Sequence, residues 1–271
     1  QPDSGQFSIA GGSSGDGWDI TFDDTGHFYN VWHHQNRTSI DCHLRTGARC
    51  DATWPYTLSN PSVPLNPSVA GTFELAGSNL SSSWYDSVQK ELWVPVIYRR
   101  GVSGVETSTA GFACLALTTV SAATKWCGGS ITTGFVSPGA AADFPSSSGC
   151  GGGFLYDCYQ GIAQSAGRLF TWNVKTGDLI CIDIRLNSGA GGPCASGGLI
   201  DFGALLPDAL FGNYFAYIGE WGGRIYGATD NTTGTVYGVC VVALTGAACP
   251  GWTNPRVIVN DTARFGQLPA I

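Results

Sequence analysis

The sequence contains no methionine and few charged residues. Lys, Arg, Asp and Glu make up 12% of its 271 residues, about half the share of an average soluble domain. The net charge is −7, and the basic residues are scattered apart from Arg99 and Arg100. Counterion release from nucleic acid and attraction to anionic lipid both require a concentrated basic surface. The composition therefore excludes nucleic acid and anionic membrane surfaces as expected partners.

Long hydrophobic runs and common catalytic motifs are also missing. The stretch 101–120 carries a single charge, Glu106, but it is rich in Gly, Ser and Thr, so we expect no membrane insertion. The sequence has no G-x-S-x-G elbow, no HExxH pair and no phosphate-binding loop. We therefore assign no cofactor and no catalytic residue, and an enzyme is the less favoured class.

Cysteine is abundant instead. Ten cysteines form an even set, which favours complete pairing in an oxidising compartment. The chain begins at Gln1 without an apolar leader, so we interpret it as the mature form of an exported protein, secreted or at the cell surface.

Four segments share one order of features: a Gly or polar residue, an apolar-aromatic strand, a polar turn, and a second strand that contains or approaches a cysteine. A second cysteine follows shortly. The segments run from Gly26 to Cys50, Lys90 to Cys127, Gly167 to Cys194 and Gly223 to Cys249. β-Branched and aromatic residues bounded by turn residues predict hairpins. The fold class is therefore all-β.

Further strand candidates follow or precede the hairpins, at 54–58, 71–75, 198–202 and 256–259. A four-stranded unit repeated around an axis is a propeller blade. We expect a single domain over 1–271, a β-propeller-like array of about four disulfide-stapled blades. The approximate repeats are 1–70, 71–145, 146–207 and 208–271. A pair of β-sandwiches and a β solenoid are the alternatives.

Sequential cysteine pairing repeats in every segment and leaves no cysteine over, although spacing alone does not fix the connectivity. The expected pairs are Cys42 with Cys50, Cys114 with Cys127, Cys150 with Cys158, Cys181 with Cys194, and Cys240 with Cys249. Each would fasten one hairpin locally.

The phrases IDCHLRTGARC, LICIDI and YGVCVVALTGAACPGW resemble the cysteine-containing blade repeats of large secreted, propeller-like surface proteins. The T-G-x-x-C turn of those repeats is present at Thr46–Cys50 and Thr245–Cys249 but absent from the second and third segments. The resemblance implies a propeller-like fold and an extracellular setting, and it implies no active site.

Several residues are candidates for modification or binding. Four Asn-x-Ser/Thr sequons predict N-glycosylation in a eukaryotic host, at Asn36, Asn79, Asn231 and Asn260. Trp54, Trp126 and Trp252 lie beside cysteines or loop Pro and Gly residues, so we expect them to be the exposed tryptophans that could stack on glycans. Trp32, Trp93 and Trp172 lie in strands and are expected in the core.

Charged and metal-ligating residues give weaker indications. His27, His33, His34 and His43 lie in one segment, but adjacent strand residues face opposite sides, and we expect no metal site. Asp23 and Asp24, with Asp19 and Asp41 nearby, could serve a glycosidase or simply form a β-turn.

We favour an extracellular structural or adhesive glycoprotein module, such as a subunit of a surface assembly or filament. Its partners would be itself, other extracellular proteins or polysaccharide. The alternatives are a glycan-binding lectin and, less favoured, a secreted glycan-active hydrolase.

Overall fold

The computed structural model is all-β, as the sequence predicts. It describes residues 19–34, 37–58, 73–75, 83–102, 105–118, 125–139, 143–145, 159–173, 178–195, 197–201, 216–230 and 235–260. Helical structure in these ranges includes the α-helical turn α1 (Ile131–Gly134) and 3-10 segments at Cys127–Gly129 and Leu186–Gly189. None of these helices has the length and apolarity needed to cross a membrane.

Sheet 1 is a four-stranded antiparallel meander. Its strands follow chain order: β1 (Asp19–Phe22), β2 (Phe28–His34), β3 (Arg37–His43) and β4 (Tyr56–Thr57). The turn after β1 closes at Gly26, whose φ of 85° suits glycine.

Sheet 2 is built around two strands of 12 residues, β7 (Glu91–Val102) and β8 (Val105–Ala116). The strands β5 (Phe73–Leu75) and β6 (Trp84–Asp86) pair with opposite ends of β7. The strands β9 (Phe135–Val136) and β10 (Asp143–Pro145) do the same on β8. The six strands therefore form four rows, with the two outer rows interrupted.

Sheets 3 and 4 repeat this meander. Sheet 3 contains β11 (Tyr159–Ser165), β12 (Arg168–Asn173), β13 (Asp178–Asp183), and the short β14 (Gly192–Pro193) and β15 (Leu199–Asp201), which both pair with β13. Sheet 4 contains β16 (Ala216–Trp221), β17 (Arg224–Asp230), β18 (Thr235–Val242) and β19 (Arg256–Asn260). The predicted hairpins are thus the central strand pairs of all four sheets.

The disulfides occupy the same register position in every sheet. The first cysteine of each pair lies directly opposite an aromatic residue of the preceding strand: Tyr29 opposite Cys42, Trp93 opposite Cys114, Phe170 opposite Cys181, and Tyr226 opposite Cys240. The structure forms the four sequential pairs Cys42–Cys50, Cys114–Cys127, Cys181–Cys194 and Cys240–Cys249. Cys150 and Cys158 lie outside the described residues.

The loops between paired cysteines differ in length and sequence, yet they close in one way. The residue after the first cysteine bridges to the residue before the second, as in His43 to Arg49 and Val241 to Ala248. The disulfide Cα–Cα distances are 5.4 to 5.5 Å. Covalent closure next to a backbone bridge explains why this geometry persists without a shared turn motif.

Three hydrophobic clusters join the sheets consecutively. Sheet 1 packs on sheet 2 through residues such as Val31 and Leu92, and sheet 2 packs on sheet 3 through Trp93 and Ile180. Sheet 3 packs on sheet 4 through residues such as Trp172. Because side chains alternate along a strand, each inner sheet contributes one set of residues to each neighbour.

The two ends of the sheets carry different connections between strands. We call the end with the disulfide loops and the first turn of each sheet the cysteine end. Contacts between sheets confirm that these turns lie on one side: Tyr85 of sheet 2 bonds to Asp24 of sheet 1, and Gln89 of sheet 2 lies against Gly189 of sheet 3. At the opposite end, the second strand of each sheet ends and the third begins.

Candidate functional site

The structure corrects two of the three predicted glycan-stacking tryptophans. Trp54 and Trp126 are 5% and 3% exposed and belong to the cluster between sheets 1 and 2. Trp126 precedes Cys127 in the disulfide loop of sheet 2, and Trp54 lies between Cys50 and β4 of sheet 1; both rings enter the core between the two sheets. The prediction that they are exposed is therefore wrong.

Trp252 is half-buried. Its ring meets Tyr226 edge-on at 6.2 Å, and the Arg256 guanidinium lies 5.4 Å from its centroid. One side of the ring is thus occupied by protein groups. Trp93 and Trp172 are buried as expected, at 0% and 1% exposure, and the side chain of Trp32 lies outside the described part.

One predicted sequon is described. Asn260 is exposed at the end of β19 and accepts a hydrogen bond from Thr235 Oγ1 at 3.3 Å. Asn36, Asn79 and Asn231 lie outside the described residues. Glycosylation at all four remains a prediction.

Asp23 organises the first turn of sheet 1. Its Oδ1 accepts hydrogen bonds from the Thr25 N–H (2.9 Å), Thr25 Oγ1 (2.7 Å) and the His27 N–H (2.9 Å), and its Oδ2 accepts one from Tyr29 OH at 3.2 Å. The His27 Nδ1 lies 3.1 Å from Oδ2. Burial acts to raise the pKa of Asp23, but the hydrogen bonds from Thr25 and His27 outweigh it, so the pKa lies below its usual range.

Asp24 has a different set of partners, on sheet 2. Lys90 Nζ and Tyr85 OH both donate to its carboxylate, the latter at 2.7 Å. These bonds, that from Lys90 first, lower the pKa of Asp24. A hydrolase of this kind needs one protonated carboxyl to act as acid, whereas both groups here favour the ionised form. The turn interpretation of Asp23 and Asp24 describes the structure better than the catalytic one.

A shallow depression of about 410 Å³ adjoins this turn at the cysteine end of sheet 1, lined by Phe22, Asp23, Gly26, Phe28 and Arg45. The Phe22 ring is 64% exposed and lies 6.3 Å from the buried Phe28 ring. Phe28 in turn stacks on His43, at 5.0 Å. The depression therefore combines an exposed aromatic ring, a buried ring beneath it, a guanidinium and the Asp23 carboxylate.

Glu91 lies at the start of β7, directly opposite Asp86. It is half-buried, and its Oε2 has no hydrogen-bond partner among the described residues. Burial and, second, the charge of Asp86 raise the pKa of Glu91 to about 7. This carboxyl therefore changes its protonation near neutral pH.

Lys125, in the disulfide loop of sheet 2, contacts Trp54, which lies between Cys50 and β4 of sheet 1. Its Nζ lies 4.3 Å from the centre of the Trp54 ring, and the side chain is 1% exposed. Burial lowers the pKa of Lys125, and the charge of Asp51 opposes that effect. The contact is a buried cation–π interaction between consecutive sheets.

Two groups of side chains approach metal-ligand distances: His27 with Cys42 and Cys50, and Glu91 with Cys114 and Cys127. In both groups the sulfurs form a disulfide, so neither sulfur can act as a thiolate ligand. These groups do not make a metal site.

No family model matches this sequence, and no protein with a curated description matches it. Structure comparison finds a virginiamycin B lyase from Staphylococcus aureus, at 11% sequence identity and a TM-score of 0.25. The match covers 92% of this chain and 86% of the lyase chain. A likeness this low carries no argument about activity.

Phe22 and Arg45 were not singled out by the sequence. Phe22 alternates with Ile20 in a short strand, a pattern that suggests burial, and Arg45 precedes an ordinary turn. Only the packing of sheet 1 shows that these two side chains line one depression.

Proposed function

We propose that this chain is an extracellular structural or adhesive module, built as a propeller-like array of blades, that associates with further copies of itself through strand β19. Support for the array comes from the consecutive packing of four meanders. Support for the setting comes from four disulfides, which are typical of oxidising compartments.

The exposed apolar strand β19 carries the association proposal. All five of its residues are exposed, and the three central ones are aliphatic: Val257 is 51%, Ile258 52% and Val259 41% exposed. It is the outer strand of sheet 4, pairing with β18. An apolar strand at a sheet edge is a common surface for association with another chain.

Comparison with other fourth strands indicates that β19 is unusual. The strand β4 has two residues, both half-buried, and β9 has two, one half-buried and one buried. Among the outer strands whose side chains the structure describes, β19 alone exposes three aliphatic residues, which favours a specific contact over a general feature of the repeat.

A second copy of the chain can bind this surface because β19 would not place like charges against one another in such a contact. A two-fold contact places the same patch on both sides, so a patch with several like charges would repel its counterpart. Arg256 is the only charged residue of β19, and its guanidinium lies over the Trp252 ring. Val257 to Val259 can therefore meet the same residues of another copy without opposed like charges.

The test is the double variant Val257→Asp and Val259→Asp. We expect the unmodified protein to increase in mass with concentration in light scattering coupled to size exclusion, and the variant to remain monomeric. Val88→Asp is the matched control, because Val88 is 82% exposed in the first turn of sheet 2. Its mass should follow that of the unmodified protein.

Two outcomes would overturn the proposal: an unmodified protein that stays monomeric at the highest concentration reached, or a double variant that assembles like the control. Circular dichroism melting of all three proteins verifies that the substitutions leave the fold intact.

A further inference from the structure

We propose that the depression lined by Phe22, Asp23, Gly26, Phe28 and Arg45 binds an acidic sugar unit, a uronic acid residue of a polysaccharide. This binding is independent of the association through β19, which lies on sheet 4. The ligand class follows from an exposed aromatic ring beside an arginine that has no acidic partner among the described residues.

Arg45 is held over the depression by its contact with Gly26. A Cβ atom at Gly26 would lie 2.3 Å from Arg45 Nε and 2.8 Å from Cζ. The guanidinium thus rests directly on the backbone of the first turn, where only glycine leaves room. The side chain of Arg45 is exposed, and no ion pair or hydrogen bond engages it within the described ranges.

Sheet 3 contains the same contact with its charge neutralised. Arg185 lies over Gly167, and a Cβ there would be 2.7 Å from Arg185 Nε. Asp183, two residues earlier, accepts hydrogen bonds from Arg185 Nε at 2.9 Å and Nη2 at 2.6 Å. In sheet 1 the residue two positions before Arg45 is His43, which supplies no carboxylate.

His43 is also committed to other contacts. Its Nδ1 lies 3.2 Å from the Gly47 carbonyl oxygen, its Nε2 lies 3.3 Å from Asp41 Oδ2, and its ring supports Phe28. The carboxylate that pairs with Arg185 in sheet 3 therefore has no counterpart beside Arg45 in the described part of sheet 1. A ligand carboxylate can take that place, since guanidinium and carboxylate form paired hydrogen bonds.

Asp23 does not compete for Arg45. Four donors already bind its two oxygens, and His27 Nδ1 lies beside Oδ2. It holds the turn that carries Gly26 and leaves the guanidinium available.

Phe22 supplies the contact with the sugar ring, in addition to the contact of Arg45 with the carboxylate. Its ring pairs across the strands with Phe28, which is 7% exposed and forms the floor. Exposed aromatic rings bind the apolar face of a sugar ring. The volume of about 410 Å³ suits one sugar unit of a polysaccharide. A ring face and a carboxylate together are the features of a uronic acid.

Titration calorimetry with oligogalacturonate tests the site. We expect binding to oligogalacturonate and no binding to its methyl ester, which keeps the ring and removes the charge. Arg45→Gln should weaken binding about tenfold or more, the usual effect of losing a charge-assisted contact. Arg45→Lys should retain part of the affinity, and Phe22→Ala should weaken it.

Two matched variants serve as controls. Arg185→Gln removes the arginine that is already paired in sheet 3, and Trp221→Ala removes a 73% exposed ring at the end of β16, the first strand of sheet 4. Both should bind like the unmodified protein. Equal binding of the ester, or unchanged binding by Arg45→Gln, would overturn the proposal. So would a preference for a short peptide with a free terminal carboxylate over its amide and over the uronate.

Discussion

The substitution Glu91→Gln should make the protein more stable at neutral pH. Glu91 is half-buried at the boundary of sheets 2 and 3 and faces Asp86 across the strands. Burial, then the Asp86 charge, raises the pKa of Glu91 from 4.5 to about 7. The folded protein therefore holds this proton more tightly than the unfolded chain does.

The sign of the pH dependence follows from that difference. Below the unfolded pKa both states carry the proton, and the contribution of Glu91 to stability is complete. As the pH rises towards the folded pKa of about 7, the unfolded state loses its proton first and stability falls. Above that pH both states are ionised and the loss is constant.

The size of the effect is limited by solvent. The shift corresponds to about 3 kcal/mol at most, and partial exposure reduces it to about 1–2 kcal/mol through solvent screening. Glutamine has no charge to bury, so the variant should match the unmodified protein near pH 4 and exceed it by that amount near pH 8.

Urea unfolding of both proteins between pH 4 and pH 8.5 measures this directly. Asp86→Asn keeps the Oδ1 acceptor for the backbone N–H groups of Val88 and Gln89 but removes the charge. It should therefore reduce part of the pH dependence of stability. Parallel stability curves for Glu91→Gln and the unmodified protein would refute the reasoning. A carboxyl titration of Glu91 by NMR with a midpoint near its ordinary value would do the same.

Two further predictions concern packing and disulfides. Gly227→Ala should lower stability by about 1–3 kcal/mol, because the new methyl would lie 2.6 Å from Trp172 Cε3; Gly219→Ala, where nothing lies within 4 Å, should be nearly neutral in the same thermal melts. Replacing Cys181 and Cys194 together by Ala should cost about 3 kcal/mol in a chain-entropy account of their short loop, read from urea midpoints. An unchanged midpoint would show that the backbone bridges alone hold the hairpin.

The hairpins were predictable because their signals are local. Alternating apolar and aromatic residues between turn residues mark the strand pairs of sheets 3 and 4, and short-range cysteines pair within the same units. The extra strands at 199–201 and 256–260 follow from the same β-rich composition. The division of the outer rows of sheet 2 into β5, β6, β9 and β10 has no comparable signal, because it depends on how long connections return to strands far away in the chain.

Exposure of the aromatic residues could not be obtained in this way. Trp54 and Trp126 stand next to turn residues, yet both pack between sheets 1 and 2. Phe22 and Trp221 lie at the ends of strands and are exposed, because no neighbouring sheet covers them. The burial of an aromatic side chain depends on which sheet packs against it, and the residues around it in the sequence do not indicate that sheet.

The sequence by itself determined the strand class and the central hairpins and predicted the sequential pairing of the four described disulfides, since each depends on residues close together in the chain. Only the tertiary structure decided which ionisable groups have partners. Arg45 and Arg185 occupy similar contacts over a glycine, but within the described part of the chain Arg185 is paired with the Asp183 carboxylate and Arg45 with none. That difference arises from which side chains the folded sheets bring to the cysteine end, and it makes sheet 1 the candidate binding site.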